Sequence, residues 1–386
     1  MLAVRGFRRY ILAVLLAIVI TTFYFSPSFE ELRGEATSLY RPAKEAPVNH
    51  DVASTENSTA LAWRPAPVPS KTLVVASTAE EDTSWIITNF DDEIASKSLK
   101  LAIYNVDDRN AYYAVPMNKG HESMVYLTYI IDHYDNLSDV TLFMHSHQIT
   151  WHNNDLLLSD SVSTIKMLRS ERVLRHGYMN LRCHHDPGCP AHIKLGTTEN
   201  DVNIPEAVIM KDTWTEIFPN ISIPEVLSQP CCAQFAVSAD RIRTIPLEQY
   251  MYYRGWLMRT GLDDRLSGRV FEYLWQFLFA GVEEYCPEEH VCYCDGYGMC
   301  MGGKAEFDDW FETRQKLRNV EAKLSGTLAD DSQVELMGDW SIEKQKEMKE
   351  KAKETRAELE QRRKAAIERG SQETERQKEL GEQHSR

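Results

Sequence analysis

The apolar positions of this 386-residue chain change their spacing along its length. Residues 10–25 carry no charge, with Arg5, Arg8 and Arg9 before them and Glu30 and Glu31 after. Such a run reads as a membrane helix, short unless the uncharged residues to Phe29 are included. The arginines place residues 1–9 in the cytosol and everything after the anchor across the membrane. A cleaved signal peptide is the alternative, but the Thr-Thr-Phe-Tyr-Phe-Ser-Pro that closes the run is too bulky for a cleavage site. Residues 26–70 lose all periodicity and contain Pro27, Pro42, Pro47, Pro65, Pro67 and Pro69, the pattern of an extended lumenal stem.

From 71 to 303 the spacing alternates between strand and helix. Thr-Leu-Val-Val-Ala-Ser at 72–77 predicts a buried strand, and Trp85, Ile86, Phe90 and Ile94 predict a helix over 82–94. Further strands are expected over 100–106 and 140–144, with Gly120 and Glu122 opening a long helix between them. A strand over 234–237 then leads to a short helix capped by Ser238, and to helices over 247–260 and 267–283. The last is apolar nearly all round and therefore buried. This alternation predicts an α/β domain: a single Rossmann-like, mostly parallel sheet flanked by helices. Ligands of such sheets bind beyond the carboxyl ends of the strands, which here carry Thr78, Asp107 with Asp108, and His145 with His147.

Beyond 303, Phe307, Trp310, Phe311 and Leu317 predict an amphipathic helix over 304–325 that packs back on the domain. Residues 326–386 interleave Lys, Glu, Arg and Gln. Met348, Ala352, Leu359 and Ala366 give only a thin seam, interrupted by Thr355 and Arg362. A solvated charged helix or a disordered tail is expected.

The net charge is −15, and the 18 Lys/Arg and 20 Asp/Glu from 304 onward account for little of it. The acidic body argues against nucleic acid and anionic membrane surfaces as partners. The N-terminal span is then the membrane contact. All eight cysteines follow the anchor, and an even number in an oxidising compartment favours disulfides. Zinc on Cys286, Cys292, Cys294 and Cys300 is the alternative, at gaps wider than usual. Adjacent Cys231 and Cys232 are expected to take different partners, and bridges within 286–300 to close loops around 295–298. Asn57, Asn136 and Asn220 are glycan acceptors by pattern.

Four groups could carry chemistry. His145 and His147, two apart at a strand end, point to one side if the strand continues, and His152 can join them on a metal. The bland alternative has them hydrogen-bonding loop backbone. Lys119 beside Gly120, at a helix start, suits a phosphate, although the same residues make an ordinary helix start. Glu272 lies within an apolar helix and needs a partner or a raised pKa; the partner could be Arg269 or Arg265, and the other role is catalytic. Asp107 can meet a ribose or simply close a turn.

Segments 73–85, 118–122 (Asn-Lys-Gly-His-Glu), 134–137 (Tyr-Asp-Asn-Leu) and 143–147 (Phe-Met-His-Ser-His) resemble an uncharacterised fungal family of membrane-anchored proteins. So do 231–238 (Cys-Cys-Ala-Gln-Phe-Ala-Val-Ser) and 267–275, and the likeness covers about 72–300. That family is classed as a domain of unknown function. The opening strand with its Trp-containing helix, the Phe-Ala-Val-Ser strand and the late Glu-x-x-Trp helix are more distantly similar to nucleotide-sugar glycosyltransferases of the A-type fold. That resemblance implies Thr78 and Asp107 at the nucleotide and Glu272 as base or acceptor contact. Those enzymes carry Asp-x-Asp where this chain has His145-Ser-His147. The histidines then hold a divalent metal such as manganese or zinc, or the protein works without one, or it is no transferase.

The function expected is a type II membrane glycosyltransferase in the Golgi or another secretory membrane, moving sugar from a nucleotide donor to a glycan or protein acceptor. His145, His147 and Lys119 are then the cationic or metal-holding groups for the diphosphate, and Glu272 the base. The alternatives are a zinc-dependent hydrolase on His145, His147 and His152, and a carbohydrate-binding or scaffolding ectodomain using Trp85, Trp151 and Trp214.

Overall fold

The computed structural model describes residues 68–325 and 342–381. The expected cytosolic residues, membrane anchor, stem and Asn57 lie outside the described residues. Among those described, no helix is long and apolar enough to cross a membrane.

The sheet begins with β1 (Lys71–Ser77), α1 (Ser84–Ala95), β2 (Leu99–Asn105), α2 (Glu122–His133) and β3 (Val140–His145). The three strands are parallel in the order β2-β1-β3, with Val74 in register with Ala102 and Phe143. The apolar runs of β1 and β3 are buried on both faces, as strands covered by helices on two sides require, while the edge strand β2 buries Leu99, Ala102 and Tyr104 and leaves Leu101 and Ile103 partly open. Val74 and Phe143 pack on the α2 side, while Leu73, Val75, Leu142 and Met144 pack on the α1 side.

The chain continues through α3 (Ser161–Met167), α4 (Ser170–His176), β4 (Tyr178–Asn180), β5 (Ile193–Lys194), α5 (Met210–Ile217), β6 (Val226–Leu227) and β7 (Phe235–Ser238). β7 lies between β3 and β4 and is antiparallel to both, so four of the five strands run one way. β5 and β6 pair separately. Phe235 lies opposite Phe143, so residues 231–234 approach the sheet at the edge where β3 ends in His145.

Next come α6 (Ala239–Arg243), α7 (Leu247–Arg259), α8 (Asp264–Glu272), α9 (Trp275–Ala280) and α10 (Glu289–Tyr297). The single helix expected over 267–283 is in fact two, α8 and α9. It starts early because the Asp263 carboxylate accepts from Leu266 N–H at 2.8 Å, an N-cap. It breaks at Tyr273 and Leu274, where side-chain amides take up main-chain carbonyls. Gln276 Nε2 donates to Tyr273 O at 2.7 Å, and Gln229 Nε2 donates to Glu272 O. Trp275 stays in the core, 5.2 Å from the Phe235 ring, while Glu272 lines a cavity.

The tail packs, contrary to the solvated helix expected. Beyond α11 (Lys304–Ser325), α12 (Ile342–Gly370) buries Ala352, Leu359 and Ala366, and α13 (Glu373–Gly381) follows. Trp310 Nε1 donates to Leu359 O at 3.1 Å, and Cys300 N–H donates to Ala366 O at 3.0 Å. The seam is thin, but α11 supplies the large side chains Trp310 and Leu317 against it. Arg362, which interrupts the seam, is met by Asp309 at 2.9 Å.

All eight cysteines are oxidised, so the zinc alternative at 286–300 has no thiolate to use. Cys183–Cys292 and Cys189–Cys286 tie the segment after β4 to the region of α10, and Cys294–Cys300 closes the loop around 295–298. Cys231 and Cys232 are bonded to each other rather than to separate partners. With the other six matched among themselves, each has only its neighbour. Four disulfides suit a secreted or lumenal protein.

Candidate functional site

A cavity of about 800 Å³ opens where the carboxyl end of β3, the approach to β7, the start of α2 and the face of α8 meet. Two glycines allow that meeting. A Cβ on Gly268 of α8 would fall 2.8 Å from the His121 ring and 3.1 Å from the Gly120 backbone. Gly120 itself has φ +75° and would clash with Leu257. The contact is tied further by Asp264, which accepts from His121 N–H at 3.2 Å and pairs with its ring at 3.5 Å. Glu122 at the start of α2 and Glu272 at the end of α8 thus line one cavity.

The Cys232 main chain organises the centre. Its N–H donates to Glu272 Oε1 at 2.5 Å, and its carbonyl lies 2.7 Å from His145 Nε2. A carbonyl only accepts, so Nε2 carries the proton. Burial lowers the His145 pKa against the hydrogen bond to Cys232 and the Glu272 charge, which raise it. His152, with ring centroid 5.1 Å from that of His145, is pushed down to about 4 by burial and by the neighbouring His145 and Arg182. Both imidazoles are therefore neutral at pH 7.

The carboxyls move the other way. Burial pushes Glu272 up to about 7, aided by the charge of Glu122 and opposed by the Cys232 N–H and Arg269. Burial likewise raises Glu122. Arg269 is not the ion-pair partner of Glu272; it is bonded to the buried Glu206 at 2.6 Å. Burial thus raises two carboxyls of one cavity toward neutrality.

Of the residues singled out from sequence, Glu272, His145 and His152 come together here. His147 does not. β3 ends at His145, so strand alternation no longer aims His147, which is exposed and pairs with Glu81 at 3.6 Å. Thr78 N–H donates to the same Glu81 at 2.7 Å. Asp107 accepts from Ala79 N–H at 3.3 Å and Asn118 Nδ2 at 3.0 Å, the turn role. Lys119 Nζ is held by Thr260 O at 2.5 Å, the last-turn carbonyl region of α7. The single cleft expected for Thr78, Asp107, Lys119, the histidines and Glu272 is thus divided: a strand-edge group of Thr78, Asp107 and His147, and the cavity.

The histidines do not fit a three-ligand metal site, since His147 is turned to Glu81 and His145 Nε2 is bonded to Cys232. Among the described residues the groups that do converge are Cys231, Cys232 and Glu272, and Cys294, Cys300 and Glu379. Both rest on disulfide sulfurs. Of the expected stacking tryptophans, Trp85 is buried with Nε1 bonded to Ser146 O at 2.7 Å, and Trp214 is in the core. Only Trp151 serves: it lines the cavity, is 62% exposed, and has the Arg182 guanidinium 5.4 Å over its ring.

Sequence reasoning missed Glu122 as a site group, together with Arg265, Tyr273, His192 and the disulfide floor. The one signal available for Glu122 was its place beside Gly120 at a helix start.

Fold and site together define a disulfide-stapled α/β domain with a cavity lined by buried carboxyls and histidines at the carboxyl edge of its sheet. The chain belongs to the family described as "Protein of unknown function (DUF3431)", which it matches over residues 73–295. No curated protein and no solved structure matches it.

Proposed function

We propose that this is a lumenal type II membrane enzyme of the glycosyltransferase kind, moving sugar from a nucleotide donor to a glycan or protein acceptor. One observation carries the reading: Glu272, raised to about 7, is held by the Cys232 N–H in a cavity large enough for a sugar. A base of that pKa works at neutral pH. In the transfer the acceptor oxygen bonds to the anomeric carbon as Glu272 takes its proton. The bond to the diphosphate breaks, and the diphosphate leaves with the electron pair.

Arg265 lines the cavity and can meet the charge that develops on the leaving group, while Arg269 is held by Glu206. The histidines do not form a ligand set for manganese or zinc, with His147 turned to Glu81 and His145 bonded to Cys232. The parallel β2-β1-β3 order, the antiparallel β7 and the Glu272-x-x-Trp275 break support the likeness to A-type transferases. The donor nucleotide would lie at the neighbouring strand edge beside Thr78, an edge shaped by the bonds of Asp107 to Ala79 and Asn118. The apolar run at 10–25 and the four disulfides support an anchored protein with its body in the Golgi or another secretory lumen.

A second reading, glycan binding without turnover, is favoured by the exposed Trp151 at the cavity, since sugars stack on such rings. A thermal-shift panel of nucleotide sugars and oligosaccharides on the purified protein, with and without manganese, separates the two. Stabilisation by a nucleotide sugar is expected. Stabilisation by oligosaccharides alone, with no turnover, would replace the transferase with a binding module.

A further inference from the structure

Cys231 and Cys232 line the cavity, and none of the other six cysteines does. Their bridge joins neighbours in sequence. Disulfides stabilise mainly by closing long loops in the unfolded chain, and a bridge between adjacent residues closes almost none. Its use must be local. What it encloses is the Cys231–Cys232 peptide bond, and Cys232 is the residue whose N–H meets Glu272 at 2.5 Å and whose carbonyl meets His145 at 2.7 Å. The two sulfurs and a Glu272 carboxylate oxygen all lie within 4.8 Å of one another.

Cys232 also has φ +85°, a conformation that a residue with a side chain rarely adopts unless its surroundings impose it. Neighbouring bonds brace it: Cys231 N–H donates to Pro187 O at 3.1 Å, and the Gln234 side chain accepts from His145 N–H at 3.2 Å. The small covalent ring contains the Cys232 N–Cα bond and so restricts the rotation that would turn its N–H away from Glu272, while the carbonyl on His145 hangs from the same Cα one bond outside the ring.

We propose that the Cys231–Cys232 disulfide is a positioning element of the acid–base site, holding one residue's N–H on Glu272 and its carbonyl on His145. A dithiol that opens it would uncouple the two side chains. In that exchange the dithiol gives two electrons and two protons to the sulfurs and closes to its own disulfide. The proposal rests on the transferase reading only for its catalytic consequence, since the positioning can be measured without turnover.

The test is carboxyl-carbon NMR of the full-length protein labelled at glutamate, with the Glu272 signal assigned by E272Q. Glu122, Glu206 and Arg269 also act on Glu272, and the substitutions leave all three in place. In C231S/C232S the Glu272 midpoint should shift upward, because the N–H that favours the carboxylate is no longer held, while the melting temperature changes little. An unchanged midpoint, with or without a fall in melting temperature, overturns the proposal. Should the double variant not fold, the folded wild type is treated with a small dithiol and its free thiols are mapped by alkylation. An upward shift that accompanies opening of this bridge supports the proposal, and a fixed midpoint overturns it. Sugar turnover is followed in parallel. A shifted midpoint in a protein that transfers no sugar upholds the positioning and removes the transferase, whereas full turnover with a fixed midpoint removes the positioning alone.

Discussion

Arg269 gives its guanidinium to Glu206, with Nε 2.6 Å from Oε2. It also donates to Asn203 O at 2.7 Å. Glu206 is fully buried, so the pair is an interior one on one side. Glu272, on the same helix α8, keeps its carboxylate for the Cys232 N–H. The ion pair thus positions α8 while leaving Glu272 on the cavity.

Removing the arginine leaves a buried carboxylate uncompensated, and such losses cost about 3–5 kcal/mol. R269A should therefore lower stability by an amount in that range, read from urea unfolding. R269A/E206Q should recover much of it. A cost below about 1 kcal/mol for R269A would mean that water already reaches Glu206.

The carboxyl pair should oppose stability at neutral pH. Glu272 titrates at about 7 in the fold, against about 4.3 for an ordinary glutamate. Between those values the native state binds more protons than the unfolded chain. The stability of the protonated form is therefore full below the unfolded pKa and is lost as pH rises through 7. E272Q and E122Q should gain in melting temperature over the wild type at pH 8 and not at pH 4. A difference that does not vary with pH would show that neither group is shifted.

Residue spacing made the sheet legible, and the reason is physical. β1 and β3 are buried on both faces and β2 buries mainly one face at the sheet edge, so apolar residues mark all three and their ends fall within a residue or so of expectation. The carboxyl edge followed, and with it His145. Glu272 was marked by being acidic in apolar company. What was not legible depends on partners distant in sequence. Lys119 looked free for a phosphate, yet Thr260 O takes it. His147 needed the strand to run on past His145, and it does not. The helix break at Tyr273 depends on Gln229 and Gln276, which nothing local marks as carbonyl partners. The Cys231–Cys232 bridge became evident only when the other six cysteines were seen paired.

The thin seam of the C-terminal helix is completed by the large side chains of α11. Leu359 packs with α11 and its carbonyl accepts from Trp310. L359A should cost about 2–4 kcal/mol, as large-to-small core changes do. A chain ending at residue 330 should melt well below the full-length protein. Equal melting temperatures would return the tail to solvent.

Proton transfer by a positioned side chain contributes about 10²–10⁴-fold to rate. The most direct measurement is release of nucleoside diphosphate from a nucleotide sugar, with acceptor, by wild type and E272Q across pH 5–9. Wild-type turnover should rise with pH through about 7, where the Glu272 carboxyl loses its proton. E272Q should be slower by roughly 10²–10⁴-fold while binding the donor equally well. Equal turnover by E272Q, or no release from any nucleotide sugar, would contradict an acid–base transferase centred on Glu272.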